Sequence, residues 1–557
     1  MRRVPRHLRW TVLASVLVLV GGAACGSDHK KNSSANSTST AAGTVKDGGE
    51  IVFGADQEPT GFNIGTSKDN GTSVAVVIRN IWPSAYRVRP DFSLEPTLLD
   101  GPATVTSQNP FTVEWKIKAA ANWSDGTPVT ADDFEYYWQH CNGTDKDDDC
   151  ASTSGYDQIT KVEKPDPKTV RTIFKAPFSD YESLFGNLPP SHIAKKTPGA
   201  AGWNTTFNDS PMLSAGPYMF DSWQKGSTLT LVRNDKWWGP KPHLDKIVYR
   251  FLPESSSQPD ALRNNEVNMI YPQPQLDQVN VVKGFSGVTS GVSFGPSFEH
   301  LTFNFKNSFL AIPEVRQAIA YGVDRQAIVT TLMKPFSDKA SQLDNRVYVS
   351  TQKGYEAHGQ DYLKVDVAKA QAALDKAGFT KGKDGIYEKG GKRLTLRLST
   401  TAGNKLREQQ GVLIQSQMKT VGIDIRIDNS DSKTLFGTRL PKGDFDIANF
   451  GWVGTPFPAS SARQIYTSGS DSNYGKYTNK AVDDLLNKAL AEVDLTKRTA
   501  LLNQADTAMW TDLVNLPLYQ KPTFIAFSDK YVNIVDNTTT ETPFWNVEEW
   551  GLKASAG

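Results

Sequence analysis

Cysteine and histidine are both scarce, three and seven in 557 residues. So few cysteines exclude a disulfide-dense scaffold and a cysteine-rich zinc module. The histidines, at positions 7, 29, 140, 192, 243, 300 and 358, show no metal-ligand spacing, and there is neither an HExxH pair nor a phosphate-binding P-loop. Neither sign of charge dominates: 61 Lys and Arg against 60 Asp and Glu give a net charge of +1. Four of the positive charges sit at Arg2, Arg3, Arg6 and Arg9. Without a basic surplus, no nucleic-acid partner is expected. After residue 24 no run reaches 18 consecutive apolar residues, so nothing later in the chain is expected to span a membrane. What is present is ordinary for a globular chain, 38% hydrophobic and 22% charged, with 13 Trp. That many indoles suit a large core or a binding cleft. At about 150 residues per domain, two to four domains are expected.

The first 47 residues stand apart. Residues 10–24 (WTVLASVLVLVGGAA) form an apolar stretch of 15 that comes after the arginines and ends in small residues. A spanning helix needs about 20 apolar residues. The stretch instead fits a secretory signal peptide over 1–24. Cys25 directly after Gly-Gly-Ala-Ala resembles a bacterial lipobox, in which the thiol is acylated and becomes the new N-terminus. Gly22 stands where leucine is usual, and a plain signal peptide with an incidental cysteine is the alternative. Residues 26–47 are rich in Ser, Thr, Asn and Ala. They read, with Cys25, as a lipid-anchored flexible tether over 25–47 that reaches about 25 Å.

With Cys25 acylated, Cys141 and Cys150 remain as a pair flanking the loop NGTDKDDD. In an oxidising compartment a disulfide is expected, and closing so short a loop stabilises by roughly 2.5–3 kcal/mol. A calcium loop through Asp145, Asp147 and Asp149 would need glycine at its sixth position and glutamate at its twelfth, where Cys150 and Tyr156 stand. No metal and no cofactor is therefore expected.

Strands and helices alternate irregularly from Gly48 onward. Alternation or β-branched enrichment predicts strands at 111–118, 227–234, 246–252, 300–306, 393–400, 423–428 and 444–452. Pro313 is placed to open a helix through residue 333. Residues 365–378 put Val367, Ala370, Leu374 and Ala377 on one face. Asn479 is placed to cap a helix with the stripe Ala481, Leu485, Ala489 and Val493, and a further helix is expected over 496–510. The mixture implies α/β architecture.

One stretch carries a catalytic pattern. Gly291-Val292-Ser293-Phe294-Gly295 matches the nucleophile elbow of a serine hydrolase, which requires a strand before the serine and a helix after it. Pro296 and another strand come next instead, so a secreted hydrolase using Ser293 is only the alternative reading, and no enzyme is expected.

Residues 113–134 (VEWKIKAAANWSDGTPVTADDF), together with the blocks 214–250 and 301–329 and the pair Gly451-Trp452, resemble the oligopeptide/dipeptide-binding family of ABC-transporter solute receptors (bacterial extracellular solute-binding proteins, family 5). Residues 113–134 resemble its most recognisable segment; there Asp125-Gly126 turns the chain and Thr130 is placed to cap a helix. Ser191-His192-Ile193, residues 214–250, residues 301–329 (through Asn304, Arg316, Ala318, Tyr321, Asp324 and Arg325), residues 366–391, Gly451-Trp452 and Leu516-Pro517-Leu518-Tyr519 continue in family order. The resemblance implies a bilobed periplasmic-binding-protein fold of α/β class, with an extra subdomain in the first lobe and a two-stranded hinge. The implied division is a first lobe of 48–299 plus 522–557, with the extra subdomain at 90–210, and a second lobe of 300–521. It further implies a monomer on the outer face of the cytoplasmic membrane that passes peptides or peptide-like solutes to ABC permease and ATPase subunits. A non-peptide ligand such as haem, a metal chelate or an oligosaccharide is the alternative within the family.

In the family's peptide receptors an aspartate three residues after the Trp of the Gly-Trp strand pairs with the ligand's α-amino group. Here the stretch reads Trp452-Val453-Gly454-Thr455-Pro456-Phe457, and Thr455 stands at that position. A buried ammonium without an anion costs several kcal/mol. Either another carboxylate serves, or water stays at that end, or the ligand lacks a free α-ammonium. The resemblance implies ligand contacts from Trp452, the backbone at Val453 and Gly454, Thr455, Phe457, Asn304 and Tyr519.

Overall fold

The computed structural model describes residues 45–554, Asp471 excepted. Cys25, the leader 1–24 and most of the expected tether 25–47 lie outside the described residues.

A ten-stranded mixed sheet organises the molecule. At its middle two long strands, Val288–Phe303 and Asn515–Ser528, run antiparallel from the pair Val288/Ser528 to the pair Thr302/Asn515. Three strands continue the sheet on one side: Ile447–Trp452, Thr395–Ser399 and Asp424–Ile427. Five continue it on the other, ending in the meander Lys246–Phe251, Thr228–Arg233 and Tyr218–Gln224. The two long strands thus carry the chain from one lobe to the other. Their register breaks between Phe294 and Phe298, opposite Pro522 and Gln520. Pro522 has no N–H to give to a ladder, so the break falls where pairing is weakest.

Each half has its own core. One cluster joins Ile51, Trp82, Trp115, Trp203, Tyr249 and Trp550. Another joins Leu301, Ile319, Leu374, Leu398, Met418 and Leu518. The fold is bilobed and α/β. Residues 261–282, which precede the long strand, contribute Leu262, Val279 and Val282 to the second cluster, so the two cores approach each other across the sheet.

The first lobe carries a separate four-stranded sheet, Thr104–Gln108, Phe111–Lys116, Thr169–Phe174 and Ile159–Asp166 in spatial order. The helix Ala131–Cys141 packs on it behind a capping box: Thr130 Oγ1 accepts from Asp132 N, and Asp133 Oδ2 accepts from Thr130 N at 2.9 Å. A disulfide joins Cys141 to Cys150. The carboxylates between them have local partners: Asp148 meets His140 Nδ1 at 2.6 Å and Asp149 accepts from Ser67 N at 3.1 Å. Among the described residues no cluster of His, Cys, Asp and Glu could hold a metal ion, and no helix is long and apolar enough to cross a membrane.

Two expectations need correction. The helix opened by Pro313 stops at Gly322, and Asp324 caps a new turn by accepting from Ala327 N at 2.8 Å. A Cβ at Gly322 would lie 2.4 Å from Val421, so glycine is required where the helix meets the helix Lys405–Val421. The helix Lys480–Ala491 buries Ala489 as expected but Val482 and Leu486 in place of Ala481 and Leu485, and Val493 is exposed. Asp494 restarts the chain as Leu495–Asp512, which changes the phase after residue 491.

Candidate functional site

A cavity of about 350 Å³ opens between the two lobes. Its first-lobe wall comes from residues 64–70, 151–156 and 183–187 together with Tyr137; its second-lobe wall comes from residues 455–464. Thr455 and Phe457 are therefore at the cavity. Pro458 opens the helix Pro458–Tyr466 and fixes the direction of that wall. Thr455 Oγ1 accepts from Phe457 N at 3.1 Å and shares a 2.8 Å hydrogen bond with Ser461 Oγ, so the turn into the helix is tied by its own hydroxyls.

The remaining expected site residues fall elsewhere. Trp452 is half-buried in a stack, 6.1 Å from His300 and 5.9 Å from Tyr474 with nearly parallel rings. Val453 is 66% exposed and does not line the cavity. Gly454 presses on the hinge: a Cβ there would stand 2.1 Å from the Pro296 carbonyl oxygen. Asn304 is buried, with its Nδ2 donating to the carbonyls of Gly443 and Phe445 at 3.0 and 2.8 Å. Tyr519 is buried and donates to Gln410 Oε1 at 2.6 Å. Asn304 and Tyr519 thus spend their polar atoms inside the second lobe rather than at the cavity. Ser293 is buried in the middle of a continuous strand, with no strand-to-helix turn to expose it as an elbow would.

Two features tie the lobes together. At the hinge, Glu299 is buried; Arg407 Nη2 lies 2.8 Å from its Oε1, and Lys521 Nζ, on the other long strand, lies 3.4 Å away. Burial pushes the Glu299 carboxyl up, but Arg407 and Lys521 outweigh that and hold it below the ordinary range. At the mouth, Ser460 N donates to Asp180 Oδ2 at 2.7 Å, and Arg498 Nη1 donates to Ser179 O at 3.0 Å. Ser179 N in turn donates to Leu490 O at 2.7 Å. Asp180 belongs to the first lobe; Ser460, Leu490 and Arg498 belong to the second. Burial raises the Asp180 carboxyl, opposed by Arg498 and Ser460. His300 beside Trp452 is driven down to about 3 by burial, so it stacks as a neutral ring.

Sequence reasoning missed Tyr137, Tyr156, Asn187, Ser460, Ser461 and Gln464, all of which line the cavity. Only Phe457-Pro458 hinted at the second-lobe members, since a proline at a helix start sets the direction of the helix that carries them. The first-lobe residues come from three distant stretches with no shared pattern.

A bilobed α/β molecule with a hinge of two strands and a cavity between its lobes is a solute-binding protein. The model for bacterial extracellular solute-binding proteins, family 5, matches residues 94–474, and the chain belongs to that family. It is 32% identical over 501 residues to the oligopeptide-binding protein OppA of Mycobacterium tuberculosis, covering 88% of this chain and 83% of the relative. Among solved structures it resembles the periplasmic EDTA-binding protein EppA, with a TM-score of 0.87, 30% identity, and coverage of 92% and 98% of the two chains. The oligopeptide-binding protein AppA of Bacillus subtilis in complex with a nonapeptide shares the fold, with a TM-score of 0.76 and 23% identity over 92% of this chain and 100% of the other.

Proposed function

We propose that this protein is an extracytoplasmic lipoprotein that captures a peptide or peptide-like solute between its lobes and hands it to an ABC importer. The observation that carries the reading is the cavity itself, walled by residues 64–187 of one lobe and 455–464 of the other. A solute there touches both lobes only when they are closed, so it stabilises closure by its differential affinity for the closed state. The oligopeptide-binding relatives support peptides as the solute class. The lobes are 48–299 plus 522–557, with the extra subdomain at 90–210, and 300–521. The hinge lies where the register of the long strands breaks, at 294–298 and 520–522. The leader and Cys25 deliver and anchor the receptor, the tether 25–47 gives it reach, and partner subunits supply the energy of transport. It acts as a monomer and catalyses nothing itself.

Native mass spectrometry of the purified chain, with denaturation to release its cargo, tests the reading: a retained solute is expected, and Ser461→Trp, which fills the cavity, should release it. Equal retention by the variant would move the site elsewhere. Cys25→Ala should abolish membrane association while leaving affinity unchanged. The likeness to the EDTA-binding EppA favours a second reading, a metal chelate. Against it, none of the residues lining the cavity is a cation that would hold a chelate's negative charge.

A further inference from the structure

We propose that the part of the solute enclosed between the lobes is uncharged, and that a peptide bearing a free α-ammonium group is disfavoured there relative to its N-blocked form. This rests on the solute-binding reading above and narrows it to a chemical class.

Three observations carry it. First, among the described residues no Asp, Glu, Lys, Arg or His lines the cavity. Its wall is made of rings (Tyr137, Tyr156, Phe457), side-chain amides and hydroxyls. An ammonium or carboxylate closed into that space would lose its water and gain no counter-ion.

Second, the cavity wall carries a buried polar atom without a hydrogen-bond partner, the Asn187 amide oxygen. The Asn187 backbone is held in the left-handed region, φ 49°, and its N–H donates to Ser84 Oγ at 2.9 Å. Unmade hydrogen bonds at buried atoms are costly, and a solute that completes them recovers that cost. Asn187 Oδ1 asks for an N–H or O–H, and a neutral amide or hydroxyl supplies one without bringing in a charge.

Third, the carboxylates near the cavity are already committed. Asp180 accepts from Ser460 N at 2.7 Å and lies 3.5 Å from Arg498 Nη1. Its neighbour Glu182 interacts with the Tyr86 hydroxyl. Asp180 is buried and does not line the cavity, so a ligand ammonium enclosed there would not meet it. Thr455, where the family's peptide receptors place their aspartate, has its hydroxyl occupied by Phe457 N and Ser461.

The test is isothermal titration of the full chain with one tetrapeptide, Ala-Phe-Ser-Ala, in two forms: both ends free, and N-acetylated with a C-terminal amide. The capped form is expected to bind at least about tenfold more tightly, and Thr455→Asp to narrow or invert that ratio. Equal or tighter binding of the free form by the wild-type chain overturns the proposal, whatever the variant does. If neither form binds, the peptide reading fails, and the solute retained in native mass spectrometry decides the charge proposal. A retained solute with no ionised group then supports it, and one that carries an ammonium or a carboxylate, zwitterions included, overturns it.

Discussion

The backbone N–H of Ser460 donates to Asp180 Oδ2 at 2.7 Å, so an aspartate of the first lobe caps a helix of the second. That N–H is one of the donors every helix start leaves unpaired, and it sits at the positive end of the helix dipole. The hydrogen bond commits the Asp180 carboxylate to a contact between the two lobes.

Replacing Asp180 with alanine leaves Ser460 N and Arg498 without this acceptor, at about 1–3 kcal/mol. The loss falls on the closed state, so affinity for the retained solute should drop about five- to a hundredfold, with little change in the melting temperature of the free protein. Calorimetry on the wild type and the variant decides it; an unchanged dissociation constant would mean that the contact does not bias closure.

Arg407→Ala should destabilise the protein by about 3–5 kcal/mol, because Glu299 then stays buried with only the longer contacts from Lys521 Nζ and Asn449 Nδ2. Lys521→Ala should cost less. Adding Glu299→Gln to Arg407→Ala should recover part of the loss, since it removes the buried charge. Urea unfolding of all four proteins gives the comparison.

His300 adds a pH dependence. Burial lowers its pKa from 6.5 to about 3. The unfolded chain therefore binds a proton that the folded chain refuses, and the stabilisation present above pH 6.5 is lost as pH falls toward 3. Unfolding free energies at pH 4 and pH 7 should converge in His300→Gln relative to the wild type. A gap as large as the wild type's would assign the acid loss to other groups.

Gly454 is expected to tolerate no side chain. A Cβ 2.1 Å from the Pro296 carbonyl oxygen must push backbone against backbone at the hinge. Gly454→Ala should cost about 1–3 kcal/mol in stability and weaken solute binding besides. Gly469→Ala serves as a contrast: nothing lies within 4 Å of its Cβ, and the penalty there comes from its φ of +78° alone.

Much of the fold was legible because its signals are local. The alternation in 228–233, 246–251 and 447–452, the Pro313 start and the Asn479 cap each act within a few residues. The long strand Val288–Phe303 was legible only in its last four residues, because Gly295 and Pro296 interrupt the pattern where the sheet crosses between lobes. Of the residues a family motif singles out, Thr455 and Phe457 line the cavity between the lobes, whereas Asn304 and Tyr519 spend their polar atoms inside the second lobe, because a motif gives position in the chain and not the direction in which a side chain points.

By itself, the sequence determined the α/β class, the family, the helix starts, and the uncharged threonine at position 455. These come from residue type and spacing along the chain. Tertiary structure alone decided that Asn187 and Ser460 face one cavity from opposite lobes and that Asp180 is consumed in holding those lobes together. Residues 180 and 460 are 280 positions apart, and their meeting is set by the docking of two separately packed cores.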